Sequence, residues 1–261
     1  MKRKNKYCKI SEKEIEKAFI LFEQGNSLTR IANLLNIDRR TISKKLKEKG
    51  YSIIRNNKKD VDSKYFDNLN KESAYWLGYI FADGYLSDDG RLEICSKDKE
   101  HIEKFKQCIK SNHTINIKKV DNKNYYRINI QDKRIAEQLR KYGVNSNKSY
   151  GWKMPIIKDE LYNHFIRGLI DGDGTISNRS KNTLDIRLCS YSEEVLKDIK
   201  SLINRFIEIE QHSTISITST RIPSLRINNH DTQVLFLEWL YKDCNVYLDR
   251  KYKNALYLLP S

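Results

Sequence analysis

The sequence predicts an α+β protein: two related αββαββα halves, packed about a pseudo-twofold axis, behind a small all-α head. Three observations carry this prediction. A short apolar helical stretch ending in Asp-Gly occurs twice, at 76–84 and at 166–174. Cys-Ser recurs at Cys95-Ser96 and Cys189-Ser190, and the strand and helix patterns around it align at an offset of 94. The first fifty residues carry helix caps and apolar stripes of helical period. The predicted segments are a head at 1–50, a linker at 51–70, a first half at 71–158 and a second at 159–261.

Charge narrows the partner. The 261 residues hold 49 Lys+Arg against 34 Asp+Glu, a formal net charge of +15, with 16 Tyr. Such a chain binds polyanions, and double-stranded DNA is the foremost candidate. A ribosome-associated protein or a merely Lys-rich chain from an AT-rich genome would share this composition. No apolar run approaches eighteen residues, so no membrane span is expected. The start, M-K-R-K-N-K-Y-C, lacks the apolar core of a signal peptide. Cys8, Cys95, Cys108, Cys189 and Cys244 form no C-x-x-C pair, which points to reduced thiols and away from structural zinc. The expected location is cytoplasmic, or else an organellar matrix or the cytoplasm of a phage-infected host. The five histidines show no ligand spacing.

In the head, Ser11 and Glu14 have capping-box spacing before a stripe of Ile15, Ala18, Phe19 and Phe22. Gly25-Asn26 ends that helix. Ser27 caps a second with Ile31, Leu34 and Leu35 inward, and Asn36-Ile37-Asp38 turns into a third ending at Gly50. The arrangement resembles a helix-turn-helix unit, with Ala32 at the crossing and Ile42 in the core. Arg39, Arg40, Thr41, Ser43, Lys44 and Lys47 would then meet the major groove and phosphates. A three-helix bundle with a solvated basic face is the other reading. Residues 1–70 contain 18 Lys+Arg against 9 Asp+Glu. Residues 51–70 show no sustained period and read as a polar linker.

The repeated motif is the centre of the rest. L-G-Y-I-F-A-D-G (77–84) and I-R-G-L-I-D-G-D-G (166–174) each place small residues four apart, Gly78 with Ala82 and Gly168 with Gly172. Small residues at i and i+4 share a helix face and let two backbones approach closely. The terminal Gly is a usual exit from a helix. Asp83 and Asp173 occupy the unfavourable position, because the carbonyl end of the helix dipole repels negative charge by ~0.3–1 kcal/mol. Packing two such helices together adds mutual repulsion. A divalent cation would relieve both penalties.

After each motif comes a hairpin, Y-L-S-D-D-G-R-L-E-I-C-S turning at Asp89-Gly90 and T-I-S-N-R-S-K-N-T-L-D-I-R-L-C-S in the second half. The next helices match apolar for apolar: Ile102, Phe105 and Ile109 with Leu196, Ile199 and Ile203. A second strand pair follows, broken at Asp121-Asn122-Lys123-Asn124 in one half and Arg221-Ile222-Pro223 in the other. Closing helices are expected near 132–142 and 231–242. Alternation sends Leu92, Ile94, Tyr126, Ile128, Leu184, Ile186, Leu188, Ile215, Ile217, Leu225 and Ile227 to one face. Arg91, Glu93, Lys118, Arg127, Asn129, Asp185, Arg187, Ser216, Thr218, Arg226 and Asn228 share the other. Arg, Asn, Ser and Thr can pair with base edges, though any half-exposed sheet has a polar face. The duplication by itself shows architecture and not activity.

At these motifs the chain resembles the LAGLIDADG homing endonuclease family in its two-motif, single-chain form. The second copy matches the nine-residue signature at Gly168, Leu169, Ile170, Asp171, Asp173 and Gly174. The first matches at Gly78, Ile80, Ala82, Asp83 and Gly84, with Phe81 where the signature has its first acid. The resemblance implies that the two sheets form one saddle over a duplex, reading ~20 bp, in a monomer. It implies a double-strand break with short 3′ overhangs, and homing of the genetic element that encodes the protein. The metal site falls to Asp83 and Asp173 with Ala82 and Gly172 beside them. The cofactor is Mg²⁺, with Mn²⁺ as a substitute. Phosphodiester hydrolysis needs an attacking hydroxide and a stabilised leaving oxygen, which such a cation supplies. Lys148 and Lys251 lie in segments resembling those where the family keeps a basic residue near the catalytic centre. Their roles would be charge stabilisation or polarisation of the attacking water, with phosphate anchoring as the alternative. Asp171, opposite Phe81, reads as a structural helix-end residue. Two other readings stay open at this point: a catalytically silent DNA-binding transcriptional regulator, and an RNA-binding intron maturase.

Overall fold

The computed structural model describes residues 11–51, 59–146, 152–180, 183–207, 215–218 and 222–259. They form two compact units, 1–58 and 59–261.

The first unit holds three helices, α1 (Glu12–Glu23), α2 (Leu28–Leu35) and α3 (Arg39–Glu48). Local chemistry sets every boundary. Ser11 and Glu14 close a capping box on α1, Ser27 accepts from the Arg30 amide, and Asp38 accepts from those of Arg40 and Thr41. Such caps each contribute about 0.5–2 kcal/mol. Gly25 and Asn36 take the left-handed conformation between helices, at φ 81° and 53°. Ala18, Phe19, Ile31, Ile42 and Leu46 form the core, and Tyr51 stacks on Phe19 with ring centroids 5.3 Å apart. Leu34, expected inward, points out with 59% of its surface exposed. The face that packs is Leu28, Ile31, Ala32 and Leu35, and Leu34 lies off that stripe.

The second unit contains the doubled pattern. Its first half runs α4 (Lys71–Asp83), β1 (Gly84–Leu86), β2 (Arg91–Ser96), α5 (Lys99–Cys108), β3 (Asn116–Val120), β4 (Lys123–Gln131) and α6 (Lys133–Lys141). The second runs α7 (Tyr162–Asp173), β5 (Gly174–Ser180), β6 (Thr183–Cys189), α8 (Glu193–Phe206), β7 (Ile215–Thr218), β8 (Ser224–Ile227) and α9 (His230–Tyr241). A 3₁₀ turn at Asp159–Leu161 and a further helix, α10 (Asp249–Ala255), complete it. Each half has one antiparallel sheet, in the orders β1-β2-β4-β3 and β5-β6-β8-β7. The β3–β4 turn is shorter than the four residues expected. Asp121 and Asn122 alone take positive φ, 48° and 58°, while Lys123 and Asn124 pair with Val120 and Lys119. Positive φ at both central residues suits the twist of a two-residue hairpin. Residues 59–70, read from sequence as linker, pack on the first half. Phe66 is fully buried, the Asp62 amide donates to the Ile109 carbonyl at 2.8 Å, and the Ser63 hydroxyl donates to Asp132 at 2.6 Å.

Helices α4 and α7 pack against each other at the centre of this unit. A methyl group at Gly78 would sit 2.0 Å from the Phe165 carbonyl oxygen, and one at Gly168 2.0 Å from that of Tyr75. The two backbones therefore touch, as the small-residue spacing requires. Leu77, Ile80 and Phe81 on one helix and Ile166, Leu169 and Ile170 on the other are buried around that contact.

Candidate catalytic centre and nucleic-acid interface

The close contact runs to the C-terminal ends of both helices. A methyl at Gly172 would meet the Ala82 methyl at 2.3 Å and the Asp83 amide nitrogen at 3.4 Å. Asp83 and Asp173, the next residues, are both exposed at these adjoining ends. Each helix then passes straight into a strand, since Gly84 and Gly174 are extended rather than left-handed.

Beside Asp83 stands Tyr79, one helical turn earlier. Burial, with the Asp83 charge next to it, pushes the Tyr79 hydroxyl well above its usual range. Beside Asp173 lies a cleft lined by Phe81, Ala82, Trp152, Cys189 and Tyr191. The sequence singles out Phe81 and Ala82 but not Tyr79, Trp152 or Tyr191. The i, i+4 spacing to Asp83 could have revealed Tyr79, whereas Trp152 and Tyr191 reach the cleft only through tertiary packing.

Asp171 is buried, 1% exposed, and accepts from the Tyr75 hydroxyl at 2.7 Å and the Leu248 amide at 2.8 Å. Burial raises its pKa, against the pull of Lys251 and these hydrogen bonds. Its counterpart Phe81 instead packs on Trp152 and Phe165, with ring centroids 4.9 and 5.5 Å away. Lys251 is 2% exposed and donates to the carbonyls of Ile170, Asp171 and Gly174. Burial lowers its pKa to about 8, while the charges of Asp171, Asp83 and Asp173 oppose that shift. Lys148 lies outside the described residues.

The donors at the paired helix ends are oxygens: two carboxylates, with backbone carbonyls at the helix termini. Among the described residues no group of three or more His, Cys, Asp or Glu side chains converges. A hard cation that keeps much of its shell as water and phosphate fits this donor set, as Mg²⁺ does.

The sheet faces away from the core carry the expected polar residues, exposed or half-buried. Arg127 lies 3.5 Å from Glu93, and Arg187 pairs with Asp185 at 2.6 Å. Arg187 and Arg226 stand directly opposite across the β6–β8 ladder, with Ser216 opposite Arg226 on β7. Like charges facing each other across strands are unfavourable, and a polyanion would offset that repulsion. The Nε atoms of Arg127, Arg187 and Arg226 and the Oδ1 of Asn129 have no hydrogen-bond partner among the described residues. Asn228 donates to Ser216 at 2.8 Å, and the Thr218 and Ser224 hydroxyls are 2.7 Å apart. Arg91 and Lys118 are exposed. In the head, Arg39, Arg40, Ser43, Lys44 and Lys47 line one groove along α3, and Thr41 is half-buried on the same helix.

The family model described as a LAGLIDADG-like domain matches residues 160–240, and that of the WhiA LAGLIDADG-like domain matches 72–150. A helix-turn-helix domain model matches 6–49. The chain carries two LAGLIDADG-like domains and a helix-turn-helix domain. Similar solved structures include the homing endonuclease I-WcaI bound to its DNA recognition sequence. It is 19% identical, with 73% of this chain and 90% of that one covered, at a TM-score of 0.47. Full-length DUF199/WhiA from Thermatoga maritima is 16% identical, with 75% and 64% covered and a TM-score of 0.49. I-DmoI in complex with DNA and Ca is 14% identical, with 70% and 92% covered and a TM-score of 0.42. A curated relative, glutamine–fructose-6-phosphate aminotransferase of Methanocaldococcus jannaschii, is 28% identical over 149 residues. That match takes in 53% of this chain but spans only 13% of the relative's length. No helix among the described residues is long and apolar enough to cross a membrane.

Proposed function

We propose that this protein is a sequence-specific, divalent-metal-dependent DNA endonuclease that cuts both strands, working as a monomer whose two repeats straddle the duplex. One observation carries the reading: two exposed carboxylates stand together at the ends of a glycine-packed helix pair, where the helix dipoles disfavour them. A charge placed against both its neighbour and its own helix points to a cationic ligand.

Asp83 and Asp173 would hold Mg²⁺ with the backbone at Ala82 and Gly172. When bound, Mg²⁺ supplies a water made acidic and a Lewis acid at the phosphate. The chain's own residues do the rest. The Gly78–Phe165 and Gly168–Tyr75 contacts fix the spacing of the two carboxylates. On the sheet faces Arg127, Asn129, Arg187, Arg226 and Asn228 would read base edges, with Glu93 and Asp185 orienting two of the arginines. Arg91, Lys118, Ser216 and Thr218 complete that surface. In the head Arg39, Arg40, Thr41, Ser43, Lys44 and Lys47 would add phosphate and groove contacts. Lys148 and Lys251 would supply positive charge near the centre.

The test starts with duplexes selected from a randomised pool by binding in Ca²⁺, which are then transferred to Mg²⁺ or Mn²⁺. Cleavage of both strands is the expected result. Tight, selective binding with no cut in either metal would overturn it in favour of a DNA-binding regulator. The divergence of the halves favours that second reading, since Phe81 replaces one signature acid.

A further inference from the structure

Helix α7 ends without the usual cap. Gly174 is extended, at φ −97° and ψ 179°, so no left-handed turn folds the chain back onto the last carbonyls. The Gly174 amide donates to the Ile170 carbonyl, and the end of the helix is met in addition by a side chain some eighty residues further along. The Lys251 ammonium donates to Ile170 O at 2.5 Å, Asp171 O at 2.9 Å and Gly174 O at 2.6 Å. An ammonium has three protons, and these three acceptors engage all of them. The acceptors bracket Asp173 in sequence.

The segment that delivers Lys251 is tied to both repeats. Toward the second, the Leu248 amide donates to Asp171 Oδ2 at 2.8 Å, and the Asn254 side chain donates to Ile176 O at 2.8 Å. Arg167, buried inside α7, donates to Leu240 O at 2.7 Å and Val246 O at 3.0 Å, which fixes the approach to α10. Toward the first, Lys104 donates to Asp249 at 2.6 Å, and Arg250 donates to Asp98 at 3.2 Å.

We propose that Lys251 is a positioning residue: its ammonium caps α7 and, within a clasp formed by residues 246–255, holds Asp173 in place beside Asp83. With its three protons engaged by these carbonyls, the ammonium donates no hydrogen bond to the phosphate or the attacking water, and its charge reaches the centre only through space. The consequence for cleavage rests on the endonuclease reading; the consequence for the helix end does not.

Two variants of the full chain, Lys251→Met and Asn254→Ala, test it by hydrogen–deuterium exchange without metal or DNA. Exchange across 168–177 should rise about tenfold in Lys251→Met. It should rise by a smaller factor in Asn254→Ala, which loosens the clasp and leaves Lys251 intact. Residues 76–86 should keep wild-type protection in both. If Lys251→Met fails to fold, Asn254→Ala decides by the same readout. Unchanged exchange at 168–177 in a folded Lys251→Met, or in Asn254→Ala when it alone folds, overturns the proposal. On a cleavable duplex, Lys251→Met should cut only one strand, the one that Asp173→Asn still cuts. Loss of both cuts with wild-type exchange would make Lys251 a direct participant in the chemistry. A wild-type protein that never cuts sinks the endonuclease reading and leaves the exchange result to judge the clasp.

Discussion

Asp83 and Asp173 sit at helix ends whose dipoles oppose a carboxylate. Replacing either with Asn keeps the shape and removes one charge from a helix end. The variants should melt at or slightly above the wild-type temperature, by up to ~1 kcal/mol of added stability. Duplex binding should persist and double-strand cleavage should be lost, as a gel shift in Ca²⁺ beside a cleavage assay in Mg²⁺ would show. Asp171→Asn should behave in the opposite way. The sequence reads it as a structural helix-end residue, and the carboxylate is buried against Tyr75, the Leu248 amide and the nearby Lys251 charge. Its replacement should cost about 1–3 kcal/mol in urea denaturation. Two buried histidines make the fold sensitive to acid. His101, buried beside Tyr75, Trp76 and Tyr79, is lowered to about 3 by burial and then by Lys104, Arg250 and Lys251. His164 is lowered to about 3 by burial and the Arg167 charge. Both are neutral in the fold and take up protons first in the unfolded chain. Their contribution is complete above pH ~6.5 and falls as the pH drops toward 3. The urea midpoint should therefore be lower at pH 5 than at pH 7, and His101→Phe should reduce the difference.

At the scale of elements, the α4–α7 pair is the most demanding contact. Gly78→Ala and Gly168→Ala each drive a methyl into a backbone carbonyl, which cannot move aside as a side chain would. Each should cost at least about 1–3 kcal/mol, read as a lowered urea midpoint. Gly172→Ala meets the Ala82 methyl near the helix ends and should cost less. Caps and turns were legible because their chemistry is local: Ser11 with Glu14, Ser27, Asn36 and Gly90. Helix α10 was not. Its seven residues are too short for a periodic signal, and its place depends on partners in both repeats. Leu34 was misread for a related reason: eight residues of α2 admit two apolar stripes, and only the packing of three helices selects one.

At the scale of the whole chain, the two units have separate cores, Ala18 to Leu46 in one and Phe66 to Ala255 in the other. A protein beginning at Lys59 should therefore fold cooperatively, with its own single melting transition. It should bind its duplex more weakly, and the dependence of log K on log salt should flatten as the phosphate contacts of the head are lost. An unchanged salt slope would remove DNA binding from the head. The net charge of +15 favours a polyanionic partner and selects no sequence.

The sequence by itself determined the doubled αββαββα order, the small-residue face of the central helices and the two acids at their ends. Those features follow from period, caps and duplication, which are written within a few residues of where they act. Only the tertiary structure decided what surrounds the acids. It put Tyr79 against Asp83 and a cleft against Asp173, buried Asp171, and turned Lys251 from a basic residue near the centre into the cap of α7. The reason is physical. A lysine's reach and a carboxylate's burial depend on which chain segments arrive beside them, and Lys251 reaches the end of α7 from eighty residues along the chain.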